Sequence, residues 1–181
     1  MKELILGGAR SGKSGYAESK AETSGMAVTC IVTAQPGDQE MTARIHHHRE
    51  KRPTHWKVVE EPVLLAATLK ALAAPGRCLL VDCLTLWLSN LLHADRGDAV
   101  ADSRESVFAR EREALVATLP ALAGHIIFVS NEVGMGIVPL GELSRRFSDE
   151  AGRLHQDLAG ICDRVTLMIA GLPLAVKGNS A

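Results

Sequence analysis

The 181-residue sequence predicts an α/β fold of three layers, in which a mainly parallel sheet carries helices on both faces. Short runs rich in Val, Ile and Leu alternate with longer amphipathic segments, which is the βαβα order of a parallel sheet. Several runs are apolar throughout, as expected for strands that are covered on both faces. A glycine-rich loop joins the first strand to the first helix. The length fits one domain spanning residues 1–181.

The glycine-rich loop at the start of the chain is a phosphate-binding motif. It lies between a predicted strand, Lys2–Leu6, and a predicted helix, Ser14–Thr23, and fits G-x-x-x-x-G-K-[ST]. In this context loop glycines let backbone N–H groups at a helix N-terminus wrap a polyphosphate, while Lys13 reaches the β and γ phosphates. The Ser14 hydroxyl would hold Mg²⁺. The alternative is a plain glycine-rich turn. The candidate phosphate-binding residues are Gly7, Gly8, Ala9, Arg10, Ser11, Gly12, Lys13 and Ser14.

A histidine-rich helix is predicted to follow the second strand. Met26–Thr33 is an apolar, β-rich run, and Asp38–Lys51 has acidic residues in its first turn, basic residues in its last, and Pro53 beyond it. Residues 46–48 of this helix are three consecutive histidines. Because successive helical residues point about 100° apart, their side chains cannot converge on one metal ion. The pattern therefore argues against a zinc site here.

His48 differs from the two preceding histidines in the helical face that it occupies. It shares the inward-packing face with Ile45, and Arg44 and Arg52 flank it at four-residue spacing. Two guanidinium groups would hold a phosphate and would favour the neutral imidazole that a nucleophile needs. The alternative is a solvated basic surface with a half-buried structural histidine, and spacing alone favours that alternative.

The remaining elements alternate between strands and helices. The first of the helices is expected to direct Leu64, Leu65, Leu69 and Leu72 inward. The charge-dense helix at 103–119 is expected to form a solvated outer layer, and the final proline-containing segment an edge strand or terminal extension. In chain order the segments are strand Trp56–Glu60, helix Glu61–Ala74, strand Arg77–Asp82, helix Cys83–Leu92, surface loop His93–Asp102, helix Ser103–Leu119, strand His125–Ser130, helix Leu140–Ala159, strand Asp163–Ile169 and segment Gly171–Lys177.

Two of these strands end in polar residues that could serve a site. Asp82 closes an apolar strand, as does the aspartate that holds Mg²⁺, often through water, in folds with this loop. Its alternative role is the N-cap of the next helix. Asn131 and Glu132 follow another buried strand, where α/β sheets bind ligands, so they could touch a substrate hydroxyl or a metal. For these two, a plain strand-to-helix turn is equally compatible with the pattern.

The composition argues against several other classes of protein. The net charge of −1 provides no basic field for nucleic acid or a membrane surface, and 3% aromatic residues provide no stacking platform. No apolar run approaches the length of a membrane span. The four cysteines lack C-x-x-C spacing and lie in or beside apolar runs, which is typical of buried free thiols in a reducing compartment. No signal peptide precedes the first strand, so we expect a cytoplasmic protein.

Five stretches together resemble the bifunctional adenosylcobinamide kinase / adenosylcobinamide-phosphate guanylyltransferase family of cobalamin biosynthesis. The phosphate-binding loop alone is unspecific. The block R-I-x-x-H-R-x-x-R-P-x-x-W (Arg44–Trp56) together with N-E-V-G-x-G-I-V-P is highly specific, and the similarity runs from Leu4 to Lys177. The five stretches are GGARSGKS, DQEMTARIHHHREKRPTHW, VDCLTLW, SNEVGMGIVP and RFSDEAGRLHQ.

The resemblance implies two successive reactions on a RecA-like P-loop domain that assembles as a homotrimer. Adenosylcobinamide is phosphorylated with ATP or GTP, and GMP is then transferred from GTP to that phosphate, which gives adenosylcobinamide-GDP and pyrophosphate. The resemblance implies a covalent GMP–histidine intermediate at His48, with Lys13 as the second catalytic residue. Besides the loop Gly7–Ser14, the implied GTP contacts are Val32, Thr33, Ala34, Arg49, Glu50, Lys51, Arg52, Glu60 and Asp82. The implied Mg²⁺ ligands are Ser14 and Asp82.

Two other functions are compatible with the phosphate-binding loop alone. A kinase for another small metabolite would share Gly7–Ser14 but would have no use for Arg44, His48 and Arg52 as a group. A non-enzymatic switch would bind GTP without turnover of any acceptor, with Ala94–Asp102 as its moving part. Absence of covalent GMP on the protein would favour the kinase.

Overall fold

The computed structural model describes residues 1–35, 37, 52–97 and 106–178. In these ranges the strands form one sheet of order β3-β2-β4-β5-β1-β6-β7, parallel except for β7, which pairs antiparallel with β6. The strands are β1 (Lys2–Gly7), β2 (Ala27–Val32), β3 (Lys57–Glu60), β4 (Arg77–Asp82), β5 (His125–Asn131), β6 (Arg164–Ile169) and β7 (Leu172–Lys177). The helices are α1 (Lys13–Thr23), α2 (Leu65–Leu72), α3 (Leu84–Gly97), α4 (Val107–Thr118) and α5 (Glu142–Ile161), with a 3₁₀ turn at Leu119–Ala121.

Apolar side chains cover both faces of the sheet, which confirms the predicted three layers. Neighbouring residues of a strand point to opposite faces, so Leu4 of β1 packs in one core and Ile5 in the other. The first core lies under α2, α3, α4 and α5 and contains the fully buried Trp87. The second lies under α1, which contributes Ala17 and Ala21. The proline-containing tail is an edge strand, β7, as expected. None of the helices in the described ranges is long and apolar enough to span a bilayer.

Helix α2 is shorter than predicted. Of the four leucines that were predicted to point inward, one is exposed. The Glu61 carboxylate accepts hydrogen bonds from the backbone N–H groups of Val63 and Leu64 at 2.9 and 2.7 Å. Residues 61–64 therefore form a turn before the helix, which begins at Leu65, and not its first turn. Leu65 and Leu69 are buried and Leu72 is partly buried, as predicted, but Leu64 is 48% exposed.

The predicted surface loop His93–Asp102 is wrong in its first half, because α3 continues to Gly97. The carboxylate of Asp95 accepts hydrogen bonds from the Phe108 backbone N–H at 3.3 Å and from Arg146 at 3.4 Å. These bonds tie the end of α3 to α4 and α5, a tertiary stabilisation that local sequence does not reveal. Residues 98–105 lie outside the described residues. Helix α4 was predicted to be a solvated outer layer. One of its faces is buried, through Phe108, Glu111 and Leu115.

The four cysteines are free and buried, as the apolar runs around them predicted. Burial raises the pKa of Cys30 and of Cys162 to about 12 and that of Cys78 to about 11. Burial also raises the pKa of the Cys83 thiol. The thiols are therefore protonated at neutral pH and behave as small apolar side chains.

The adjacent leucines at the start of α2 provide a matched test of the core. Leu65→Ala should lower the free energy of unfolding by about 2–5 kcal/mol, because it leaves a cavity in a packed interior. Leu64→Ala should cost about 1 kcal/mol or less, because that side chain is half exposed. Chemical denaturation followed by tryptophan fluorescence measures both. Equal losses for the two variants would contradict the described packing of α2.

Candidate functional site

The glycine-rich loop lies at the carboxyl edge of the sheet, at its interior strand β1. Gly7 ends β1, and Gly12, with a positive φ of 91°, immediately precedes α1. The Ser11 N–H donates to the Gly8 carbonyl at 3.2 Å, and the Tyr16 N–H donates to the Gly12 carbonyl at 3.0 Å. This is the predicted strand, loop and helix, in which loop amides bind phosphate oxygens.

Close packing fixes the loop against the turn between β6 and β7. A Cβ at Gly7 would lie 2.9 Å from the Met168 carbonyl oxygen and would collide with the Ser11 hydroxyl. A Cβ at Gly12 would lie 3.2 Å from the Gly171 Cα, and the Gly171 N–H donates to the Ser11 carbonyl at 3.0 Å. Sequence reasoning missed this contact, since only tertiary structure brings the C-terminal turn to the loop.

Lys13 is buried beside the loop, with 9% of its surface exposed. Its ammonium donates to the Gly8 carbonyl at 3.2 Å. Burial lowers the pKa of Lys13, and the nearby Cys83 and Asp82 oppose that shift. A buried ammonium that has lost most of its hydration gains from an anionic ligand, so Lys13 has the electrostatic setting expected of a phosphate-binding lysine.

Asp82 ends β4 as predicted. It forms an ion pair with Arg52 that the sequence did not predict. The Arg52 Nη2 atom donates to the Asp82 carboxylate at 2.8 Å, and the Arg52 side chain is only 4% exposed. From the sequence, Arg52 was predicted either to bind phosphate beside His48 or to belong to a solvated basic helix end. In the structure its side chain is buried against the carboxylate of Asp82. Among the described residues, Arg52 Nε and Ser11 Oγ are buried without a hydrogen-bond partner, so a ligand oxygen could satisfy each.

At the end of β2, the polar groups of Thr33 are already hydrogen-bonded within the protein. The buried Thr33 hydroxyl donates to the Cys83 carbonyl at 2.7 Å and accepts from the Cys83 N–H at 3.0 Å. Asn90 donates to the Thr33 carbonyl at 2.8 Å. Val32 is packed in the second core, so Ala34 is the most available residue of the predicted contact Val32–Ala34.

Glu60 ends β3, at the same edge of the sheet as the loop but on its outermost strand. Four strand spacings separate β3 from β1, which is a distance of about 19 Å. A nucleotide that touched both Glu60 and the phosphate-binding loop would therefore have to lie along the carboxyl edge, across the ends of β2, β4 and β5.

A buried histidine lies behind the end of β5. The Ser130 hydroxyl is 2.7 Å from His155 Nε2, and His155 Nδ1 is 3.9 Å from the Glu132 carboxylate. The Glu132 N–H donates to the Gly7 carbonyl at 3.0 Å, so this acidic residue stands directly beside the first glycine of the loop. Burial lowers the pKa of His155, and Glu132 opposes the shift. Glu132 was predicted from the sequence as a site residue and His155 was not, although His155 lies in the family-resembling stretch RFSDEAGRLHQ.

The donors at the loop fit a magnesium ion that is shared with a nucleotide. Within the described residues no group of three or more His, Cys, Asp or Glu side chains could hold a metal by itself. Ser14 in the first turn of α1 and Asp82 supply a hydroxyl and a carboxylate, which are hard oxygen ligands. Mg²⁺ is commonly held by one or two protein ligands together with substrate phosphates, so this donor set is suitable.

His48, Arg49, Glu50 and Lys51 lie outside the described residues, as does the rest of the predicted helix Asp38–Lys51. Their roles therefore stay predictions.

Comparison with known proteins identifies the family. The family model described as cobinamide kinase / cobinamide phosphate guanyltransferase matches residues 3–176. The chain belongs to this family. It is 58% identical to the bifunctional adenosylcobalamin biosynthesis protein CobP of Pseudomonas aeruginosa over 179 residues, which is 99% of each chain. It is 40% identical to the bifunctional adenosylcobalamin biosynthesis protein CobU of Escherichia coli, covering 96% of this chain and 98% of that protein. The family assignment confirms the sequence resemblance and makes the protein an enzyme.

Solved structures of low sequence identity support the fold. An ATPase from the type III secretion system of pathogenic bacteria superposes with a TM-score of 0.52 at 11% identity, over 96% of this chain and 56% of the ATPase. The ATPase EscN of enteropathogenic E. coli gives 0.53 at 13% identity, over 93% of this chain and 43% of EscN. These similarities show a P-loop NTPase fold and carry no information about substrate.

Two glycines near the loop test whether its packing matters for nucleotide binding. Gly7→Ala should weaken GTP binding roughly tenfold or more, because the added methyl group displaces the loop from Met168 and Ser11. Gly15→Ala is the matched control, since its Cβ meets nothing within 4 Å. Titration with a fluorescent GTP analogue measures both affinities. Unchanged affinity of Gly7→Ala for the GTP analogue would show that the tight packing at Gly7 is not needed for nucleotide binding by the loop.

The burial of His155 predicts a pH dependence of stability. Its pKa is lowered from 6.5 in the folded protein, so below that pH the unfolded chain binds more protons and stability falls. His155→Gln removes this contribution. The difference in unfolding free energy between wild type and variant should therefore narrow from about pH 8 to about pH 5. Denaturant titrations at several pH values measure it, and a constant difference would contradict a buried neutral imidazole.

Proposed function

We propose that this enzyme phosphorylates adenosylcobinamide with ATP or GTP and then transfers GMP from GTP to the new phosphate through a covalent GMP–His48 intermediate. The products of the second step are adenosylcobinamide-GDP and pyrophosphate. The observation that carries the proposal is the pairing of Arg52 with Asp82 beside Lys13. Arg52 belongs to the family-specific block Arg44–Trp56, so this pair brings that block to the carboxyl end of β4, where Asp82 is close enough to Lys13 to oppose the lowering of its pKa by burial.

Chain connectivity supports a role for His48 at this loop. His48 precedes Arg52 by four residues, and four residues of extended chain span at most about 14 Å. The Cα of residue 48 can therefore lie no farther than about 14 Å from the Cα of Arg52, whose guanidinium binds Asp82. A nucleophile with this tether can reach the α-phosphorus of a triphosphate that lies along the carboxyl edge of the sheet.

In the kinase step the chain positions the triphosphate and the acceptor. Loop N–H groups and Lys13 hold the β and γ phosphates, and Ser14 and Asp82 would hold Mg²⁺. Bound Mg²⁺ would neutralise charge that develops on the phosphate oxygens. Glu132, beside Gly7, is suited to orient the acceptor hydroxyl and to accept its proton. The γ-phosphoryl group then moves from the nucleotide to that hydroxyl.

In the transferase step His48 divides one displacement into two. Its neutral imidazole forms a P–N bond to the α-phosphorus of GTP as the P–O bond to pyrophosphate breaks. The phosphate of adenosylcobinamide phosphate then attacks the same phosphorus, and the P–N bond breaks. Lys13 and Arg52 stabilise the departing pyrophosphate. At the far end of the edge, the Glu60 carboxylate is a suitable acceptor for the N1–H and amino group of guanine.

We extend the proposal to a cytoplasmic homotrimer, as the family resemblance implies. Exposed apolar residues on the edge strand support contact between subunits. On β7, Leu172, Leu174 and Val176 are 71%, 53% and 62% exposed. Neighbouring exposed apolar side chains of this kind often mark a surface that contacts another protein chain.

The GMP–histidine intermediate is directly testable with α-labelled GTP. Wild type should form a protein adduct that is labile to acid and stable to base, as expected of a phosphoramidate. His48→Ala should form none, whereas His46→Ala and His47→Ala should retain it, since they point to other faces of the predicted helix. Adduct formation in His48→Ala would refute this nucleophile.

The variant Lys13→Ala tests the shared use of the loop. It should lose both the kinase activity and the adduct, because one lysine stabilises the phosphates in both steps. Turnover of adenosylcobinamide, followed separately for phosphate and GDP products, completes the test. Kinase activity without any adduct in wild type would favour a metabolite kinase of a simpler kind.

A further inference from the structure

A cavity of about 540 Å³ opens immediately beyond Glu132. One wall is the loop of residues 133–139, and the other is a face of α5 that includes Arg145, Gly152 and Gln156. Because the Glu132 N–H is bonded to the Gly7 carbonyl, the first wall residue, Val133, is one residue from a direct contact with the phosphate-binding loop. The cavity is thus adjacent to the position where the acceptor must present its reacting oxygen.

The loop wall is apolar and open to solvent. Of the residues that line the cavity, Ile137 and Val138 are 97% and 72% exposed, and their neighbours Met135 and Leu140, which do not line it, are 78% and 98% exposed. Four such side chains within six positions form a patch of the kind that marks a binding surface. The loop is nevertheless anchored, because Arg145 donates to the carbonyls of Pro139 and Leu140.

The helix wall is polar and offers donors and acceptors of several kinds. Arg153, Asp149, Ser148 and Gln156 line it, and the Arg153 guanidinium is held by Glu150 at 2.6 Å. Gly152 interrupts these side chains, and a Cβ placed on it would meet nothing within 4 Å. An apolar wall facing a few polar groups is the usual composition of a small-molecule pocket, and the volume lies in the usual range of about 300–1,000 Å³.

We propose that this cavity binds the corrinoid acceptor. A corrin is a wide, flat, largely apolar ring whose rim carries amide side chains. The ring face would cover Ile137 and Val138, and the rim amides would bond to the polar side chains of α5. The arm that carries the reacting hydroxyl, and later its phosphate, would then extend past Glu132 to the loop. This inference rests on the proposed function and assigns the acceptor a place in it.

Two glycines of α5 provide a matched test. Gly152 lines the cavity, whereas Gly160, eight residues later on the same helix, does not line it and also has open space at its Cβ. Gly152→Phe should fill the cavity and Gly160→Phe should not. Binding of cobinamide is measured by equilibrium dialysis with the corrin absorbance, and turnover gives KM for adenosylcobinamide. Gly152→Phe should raise Kd and KM roughly tenfold or more, and Gly160→Phe should leave both unchanged.

The GMP adduct, which needs no corrinoid, separates this inference from the proposed function. Both glycine variants should form the adduct from labelled GTP as wild type does. If Gly152→Phe forms the adduct and binds cobinamide normally, the cavity assignment is wrong and the proposed function stands. If wild type neither binds nor converts the corrinoid, the proposed function fails, and the cavity assignment fails with it.

A second variant guards against distortion of α5. Ile137→Ser changes a side chain that is 97% exposed, so it should fold normally and still weaken cobinamide binding. Normal binding in Ile137→Ser, with a defect only in Gly152→Phe, would attribute the defect to a damaged helix and overturn the assignment. Light scattering tests the competing occupant. A lower oligomer mass in both cavity variants, but not in Gly160→Phe, would make this surface a contact between copies of the chain and would also overturn it.

Discussion

The pairing of β1 with β5 on one side and β6 on the other is the constraint on which the site depends. Its register places Gly7 opposite both Asn131 and Met168, so the residues that follow all three strands emerge at one level. That alignment lets Glu132 and Gly171 bond to the backbone of the phosphate-binding loop from opposite sides. The cradle is therefore shaped by its neighbours before any ligand arrives, which lowers the ordering cost of binding.

Two buried cations lie at this edge of the sheet. Lys13 and Arg52 are both at least nine-tenths buried, and Asp82 is the carboxylate that faces them. Burying a cation is costly, because it loses hydration that its protein partners must replace. The negative charge of a triphosphate would interact favourably with both cations. The electrostatics and the backbone shape of the loop thus favour the same class of ligand, and a single anionic ligand would satisfy both.

Sequence reasoning captured what depends on local pattern. The strands buried on both faces were predicted to within a residue or two, because short apolar runs bounded by turn residues are typical of strands in a parallel sheet. The loop and Asp82 were predicted from motif and position. Two features were missed: a local turn, in which Glu61 accepts from the Leu64 N–H before α2 begins, and the tertiary contact of Asp95 at the end of α3. The pairing of Arg52, the turn at Gly171 and the histidine behind β5 are tertiary facts that helical spacing and composition do not encode.

The buried cysteines have a practical consequence for work on this protein. Cys30, Cys78, Cys83 and Cys162 are distributed over both cores, and burial keeps every thiol protonated at neutral pH. A thiol reagent can react only when local or global opening admits it. The rate of alkylation in the native protein would therefore report how often each core opens, and no substitution would have to be introduced. Slower alkylation with nucleotide present would reveal which layer the ligand holds closed.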